Sequence, residues 1–470
     1  MSLSSRSSAG IGAAALIALG ACGGGDDPAA PSAPEGGGVD AGTDAPSVDA
    51  AREAASDSAA DAAGDAPPLD RDSGPSRPYY LASAGVQLLI TGPDLGLSMT
   101  MANLASDVDL IAVHQEFYGV PWQAFEAGTA PPAQWTAKMQ ELASGARNAG
   151  KGVFLSVNLL NGARDSLAER TVIQNGQFES EDGWAARCYD FATAPDAAAK
   201  RAAYLRYVDY MVELFEPKYL NFAIEVNLFF EKCPTAVAGL IGVTNAVYDA
   251  VKAKTPNVVA FPSFQIDHLY GYSEDSCAAG RPRDACFDAL YAQIAPMKRD
   301  RFGISSYPYL NSVAGVPDLP ADWFSRGAAR AGERPVVAET GWLSTPMVAR
   351  HATLGCYTVT TQSQADARDY LDRLLAAAEA SKMDLVTWWS NRDLVVTELM
   401  AECPCDFDAN WCAIVDIFRG PASAGPDAQF FGELTLKAFG AMGIRDYAGN
   451  PKGVLFERWR QAQLRTPVVK

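Results

Sequence analysis

The sequence predicts a single (β/α)8 barrel over residues 78–470, and three observations carry that expectation. Short β-rich runs alternate with longer Ala- and Leu-rich stretches at helical spacing. Eight such runs follow one another, which suits a closed parallel barrel better than an open sheet. No glycine-rich phosphate loop follows the first run, so a nucleotide-binding doubly wound sheet is disfavoured.

Taken in order, the chain opens with residues 1–21. Arg6 is the only charge before an apolar run from Ile11 to Leu19. That run is too short to span a bilayer but has the length and flanks of a signal peptide. It ends in Leu19-Gly20-Ala21-Cys22, which resembles a bacterial lipobox. The resemblance implies that Cys22 is diacylated and becomes the new N-terminus, and Gly23 after it implies the outer membrane. An ordinary secretory signal with a chance cysteine is the alternative. Residues 22–77 are Ala, Asp, Gly, Pro and Ser for the most part; from 23 to 77 there are 12 acids against 3 bases and no aromatic residue. Such a segment buries too little apolar surface to offset its ordering entropy, so a disordered, self-repelling tether is expected.

The expected strands are Gly85–Ile90, Asp109–Val113, Gly152–Val157, Tyr219–Val226, Val258–Phe264, Arg301–Ser306, Pro335–Glu339 and Asp384–Trp389. Between them lie helical patterns at Gln134–Ala149, Ala197–Phe215, Thr235–Ala253 and Gln364–Ser381, amphipathic in each case. Asp196 is placed to cap the second of these with its carboxylate. Gly432–Met442 and Gly453–Gln463 read as closing helices. Asn175-Gly176-Gln177-Phe178-Glu179 with Gly183-Trp184 looks like the opening of a jelly-roll carbohydrate-binding module. Helix signals resume by Asp196, so it reads instead as a long βα loop pinned by Cys188.

The net charge of −18 argues against nucleic acid, which needs clustered Lys and Arg, but not against a neutral sugar. Nine cysteines occur. With Cys22 assigned to the lipid, Cys188, Cys233, Cys277, Cys286, Cys356, Cys403, Cys405 and Cys412 form an even set, which in an exported chain reads as disulfides. Zinc on Cys403, Cys405 and Cys412 is the competing reading, although their spacing fits no common zinc ribbon. Connectivity stays open, except that Cys277 and Cys286 are expected to close a local loop. A monomer is expected, with membrane contact through the N-terminal lipid only.

The chemistry is expected at the C-terminal ends of the strands. Glu225 in Asn221-Phe222-Ala223-Ile224-Glu225-Val226-Asn227 closes the fourth run, and Glu339 in Val336-Val337-Ala338-Glu339-Thr340-Gly341-Trp342 closes the seventh. A carboxylate ending an apolar strand is costly to bury unless paired or used. Two such groups across a cleft are what glycosidic cleavage requires: one protonates the leaving oxygen, the other attacks the anomeric carbon or activates water.

These motifs resemble those of clan A of the retaining glycoside hydrolases. The Glu339 segment is close to the nucleophile motif of family 53 endo-β-1,4-galactanases and family 17 β-1,3-glucanases. Phe302-Gly303-Ile304-Ser305-Ser306-Tyr307-Pro308-Tyr309 is similar to the galactanase sixth strand, and Thr387-Trp388-Trp389 to the eighth-strand tryptophan that floors the sugar subsite. The resemblance implies Glu225 as acid/base, Glu339 as nucleophile, Tyr307 touching the nucleophile, and a β-linked polysaccharide as substrate. Trp388 and Trp389 have opposite strand parity, so one faces the interior, and Trp389 is assigned there.

The sequence also departs from the clan. Ile224 stands where an asparagine usually holds the sugar 2-hydroxyl, and Asn227 is the substitute on offer. No arginine follows the second strand; His114 is the replacement donor toward Glu339. Trp122, Trp342 and Trp411 line outer subsites or merely pack. A catalytically retired, carbohydrate-binding or interaction barrel is therefore the alternative to an enzyme, and a structural lipoprotein without a sugar site the third reading. The 3 histidines, without a His-x-His pair or a carboxylate cluster, suggest no catalytic metal, and no cofactor is expected. No Gly-x-Ser-x-Gly elbow is present either.

Overall fold

The computed structural model describes residues 75–85, 97–116, 118–174, 176–273, 276–277, 281–310, 315–351, 355–401, 415 and 426–469. The expectations for residues 1–21, for Cys22 and most of the tether, and for Cys403, Cys405, Trp411 and Cys412 fall outside these residues.

In chain order the strands are β1 (Tyr80–Ala84), β2 (Leu110–His114), β3 (Gly152–Ser156), β4 (Arg170–Gln174), β5 (Gln177–Glu181), β6 (Tyr219–Asn221), β7 (Val259–Phe261), β8 (Ser263–Gln265), β9 (Phe302–Ser306), β10 (Pro335–Thr340), β11 (Met347–His351), β12 (Gly355–Thr360) and β13 (Leu385–Trp389). The main sheet runs β7-β6-β3-β2-β1-β13-β10-β9-β8, with every recorded pairing parallel. β7 and β8 are two halves of one run, divided at Pro262, which has no N–H to give to a ladder. One half pairs with β6 and the other with β9, so the ring closes through the broken strand. The architecture is a (β/α)8 barrel, as the alternating pattern predicts.

Three strand expectations are corrected. The first strand position is taken by Tyr80–Ala84; of the expected Gly85–Ile90 run, residues 86–90 lie outside the described residues. The strand's interior residues Ala82 and Ala84 are small and poor strand formers, which hides the element from a propensity reading. The fourth strand stops at Asn221, five residues before its expected end at Val226. Asn221 Oδ1 accepts from Ser263 N at 3.1 Å and Ala223 N at 3.4 Å, capturing backbone donors beside the ladder and turning the chain outward. The fifth run breaks at Pro262. The helices are nearer to expectation: Ala197–Phe215, Gln364–Ser381 and Gly453–Gln463 lie where the periodicity places them. Asp196, however, makes no cap hydrogen bond; its carboxylate accepts from Tyr189 Oη at 2.8 Å and faces Lys200.

Strand parity divides the core in two. On β2, Leu110 and Ala112 join Phe154, Tyr219, Phe261 and Leu385 inside the barrel. Ile111 and Val113 point outward, into a larger core with helix residues Trp135, Met139, Tyr204, Val208 and Leu371. At the C-terminal end the inner cluster continues into Met347 and Ala349 of β11, Leu399 and Met400, and Leu434, Leu436 and Phe439 of the helix Pro426–Gly440. These cover the mouth beside the sixth to eighth strand positions.

The Gln177 segment forms an antiparallel hairpin, β4–β5, and no jelly roll. The loop after it is pinned as expected: Cys188 is bonded to Cys233, and Cys277 to Cys286. Cys356 is also disulfide-bonded.

Candidate active site

Interior-facing positions at the C-terminal strand ends bring together His114, Ser156, Ser305, Tyr307, Glu339 and Trp389. Glu339 reaches this set through an irregularity. Val337 points outward and Ala338 inward, so simple alternation would send Glu339 to the helices. A bulge between Val337 and Glu339 shifts the register and sets Glu339 opposite Ser305. Tyr307 Oη donates to Glu339 Oε1 at 2.6 Å. Tyr307 is itself fixed by its backbone N–H, which donates to the buried Asp267 at 3.3 Å, and by Phe439 edge-on to its ring.

Glu225 does not end a strand. It lies in the turn after β6, with φ at +49°, the left-handed region that non-glycine residues rarely adopt. Its amide donates to Ser263 Oγ at 3.1 Å, and Ser305 Oγ donates to its Oε1 at 2.7 Å. One serine thus links the pair: Ser305 is the ladder partner of Glu339 and the hydroxyl donor to Glu225. The two carboxylates occupy one end of one barrel, and both are buried, Glu225 at 2 % exposure and Glu339 at 8 %.

Burial is the largest influence raising the Glu339 carboxyl, followed by the charges of Glu225 and Glu116. The Tyr307 hydrogen bond and Arg164 pull the other way. Two like charges in a dry site resist joint ionisation, which favours the protonated form of Glu339.

Two assignments change, those of His114 and Asn227, and those left open among the tryptophans are decided. His114 Nδ1 stands 4.0 Å from Glu339 Oε2, too far for a hydrogen bond. Burial, and then Arg164, push its imidazole down to about 3, so it is neutral; its ring packs edge-on against Trp389 and Phe154. Asn227 spends its amide on Gln265, donating to its carbonyl at 3.0 Å and accepting from its N–H at 2.8 Å, and so clamps β8 rather than facing a sugar. Trp342 is fully buried, donating to Gln362 at 2.7 Å and packed on Tyr370. Trp388 points outward and donates to the Met442 carbonyl, so Trp389 is the interior tryptophan. Trp122 also merely packs, against Trp184 and Tyr204.

Several residues at the site escape sequence reasoning. Arg164, from the loop after β3, donates through Nη2 to Glu225 Oε2 at 3.2 Å and through Nη1 to Glu116. Its guanidinium comes from one strand beyond the place where an arginine toward Glu339 was sought, and it is bonded to Glu225 and Glu116 instead. The turn-rich Asn161-Gly162-Ala163-Arg164-Asp165 following a strand is the signal that marks it. Buried polar atoms without a protein partner gather on the same wall: both His114 ring nitrogens, both Gln115 amide atoms, Ser156 Oγ, Asn158 Oδ1 and Trp389 Nε1. Buried polar groups are seldom left unpaired in folded proteins. These atoms sit on or just after the second, third and eighth strands, and of them His114 Nδ1 comes to 4.0 Å of Glu339 Oε2.

No protein-family model matches the chain, and no curated protein matches it in sequence. Solved structures do. The chain is similar to the exo-beta-1,4-mannosidase Op5Man5 from Opitutaceae bacterium strain TAV5, at 12% identity and a TM-score of 0.50, covering 82% of this chain and 59% of that one. A GH5_18 protein from Streptomyces cattleya in complex with Manb1-4GlcNAc matches at 14% identity and a TM-score of 0.49, over 83% of each chain. Beta-glycosidase BGL167 matches at 10% identity and 0.46, over 84% of this chain and 98% of its own. At such identities the likeness is one of fold.

Proposed function

We propose that this protein is a retaining glycoside hydrolase acting on a neutral β-linked polysaccharide, with a β-1,4-galactan as the first substrate to try. The observation that carries the reading is the Glu225–Ser305–Glu339 connection: two buried carboxylates at the C-terminal end of one barrel, joined through a single serine. Glu339 attacks the anomeric carbon as Glu225 gives its proton to the departing glycosidic oxygen. Water, deprotonated by Glu225, then attacks the anomeric carbon and releases Glu339 as a carboxylate, with net retention. Tyr307 steadies Glu339 through both steps, and Trp389 with the uncharged polar wall receives the sugar.

The test is hydrolysis of aryl β-glycosides, β-galactan, β-1,3-glucan and β-mannan by the full chain. Turnover should appear on at least one of them and drop by several orders of magnitude in Glu339→Gln; wild-type turnover in that variant would sink the assignment. A binding barrel without turnover is the second reading, favoured by the ion pair that holds Glu225 to Arg164. Quenching of tryptophan fluorescence by an oligosaccharide without any product would select it.

The same proposal places the domain outside the inner membrane on a lipid at Cys22, as a monomer at the end of an acidic tether. Cys22→Ser should move the protein from the membrane fraction to the soluble one.

A further inference from the structure

The mechanism above leaves Arg164 without a task, yet its loop is tied down at several points. Arg164 has φ at +54° and a side chain only 4 % exposed. Its Nη1 donates to Glu116 and to the Asn161 carbonyl, its Nη2 to Glu225. Asn161 Oδ1 accepts from the amides of Asp165 and Ser166, each at 3.0 Å, closing the loop on itself. Two outside segments grip it. The Cys188 amide donates to the Asp165 carbonyl at 2.6 Å, and Lys232 Nζ donates to the Ala163 carbonyl at 2.6 Å. Those segments are joined by the Cys188–Cys233 disulfide, with Cys233 directly after the helix Asn227–Lys232 that begins two residues beyond Glu225.

We propose that Arg164, held between Glu225 and Glu116, is a positioning residue that decides which of Glu225 and Glu339 takes up a proton, and that the Cys188–Cys233 disulfide holds it in that place. Its catalytic consequence rests on the glycosidase reading. A guanidinium between two carboxylates favours the ionised form of both, and the closer it sits to Glu225 the more the proton is driven toward Glu339. Catalysis needs the reverse placement, with the proton on Glu225. Glu116 is the counterweight: by holding Nη1 it limits how fully Arg164 commits to Glu225. The groups facing Glu225 are otherwise Ser305, Tyr307 and Glu339 from the sixth and seventh strand positions and Lys232 on its own helix, while neutral His114 from the second lies near Arg164.

The test is the pH–rate profile of the full chain, set beside a carboxyl NMR titration with labelled glutamate in which Glu225 is assigned by its absence in Glu225→Gln. Arg164→Met should move the alkaline limb and the Glu225 resonance upward by about one pH unit or more, the size of a close charge pair. Glu116→Gln should move both downward, because Arg164 is then released to Glu225 and one repelling charge is gone. Cys188→Ser with Cys233→Ser should move them upward, by less than Arg164→Met. Opposite displacement by Arg164→Met and Glu116→Gln is the signature that a merely structural role would not give. Unmoved limbs and resonances, equal signs in the two variants, or indifference to the disulfide would overturn the proposal. If Arg164→Met fails to fold, the near-isosteric Glu116→Gln still decides. If the wild type turns over no glycoside, the glycosidase reading fails, while the titration still tests the clamp.

Discussion

Tyr307 shows how one side chain gathers its authority from its neighbours. Its hydroxyl orients Glu339, its amide is fixed by Asp267, and its ring is wedged by Phe439. Tyr307→Phe keeps the packing and removes only the donor. A hydrogen bond to a charged group contributes about 1.5–3 kcal/mol, so turnover should fall roughly 10- to 100-fold. The lost donor normally lowers the Glu339 carboxyl, so the acidic limb of the rate profile, which requires ionised Glu339, should move to higher pH. An unchanged acidic limb would mean that Tyr307 only packs. Glu339 was legible in the sequence because its whole surrounding motif agrees. Arg164 was not, because a residue in an irregular loop has no period that says where it points.

At the scale of elements, the fifth strand position matters most, since it closes the barrel through two short pieces. Gly303 on β9 lies against the break: a Cβ added there would sit 2.5 Å from the Pro262 carbonyl and 2.6 Å from the Phe261 ring. Backbone cannot yield as a flexible side chain can. Gly303→Ala should therefore destabilise the fold by about 1–3 kcal/mol, the usual cost of overpacking, seen as a lower Tm. An unaltered Tm would show that the seam is loosely packed. The break itself could be suspected from Pro262, but its consequence, two half-strands serving two different neighbours, follows only from ring closure. The bulge at Glu339 belongs to the same class: nothing in Val336-Val337-Ala338-Glu339 announces the extra residue that turns the carboxylate inward.

For the whole molecule, the buried carboxyls set a stability that depends on pH in an uncommon direction. Burial raises Glu169 to about 8 and Asp267 to about 7, against the ordinary carboxylate range near 4. Between the unfolded and folded values the folded chain holds more protons than the unfolded one, so stability falls as pH rises. The contribution is fully present below about pH 4 and is lost once pH passes the folded values. Tm should accordingly be several degrees lower at pH 8.5 than at pH 5, and Glu169→Gln should flatten that slope. A Tm that climbs across the same interval would contradict these buried acids. This behaviour is invisible in the sequence, where Glu169 and Asp267 look like any other acids.

The sequence by itself determined the barrel, most of its helices, the opposite parity of the two β13 tryptophans, and the candidacy of Glu225 and Glu339. Each of these follows from local periodicity, strand parity or a contiguous motif. Only the tertiary structure decided that Glu225 sits in a turn, that Asn227 clamps a strand, and that Arg164 and Glu116 reach the acids from separate loops. The physical reason is that loops carry no repeating pattern. Their side chains are placed by which strands the closed ring brings together, and that closure is a property of the whole chain.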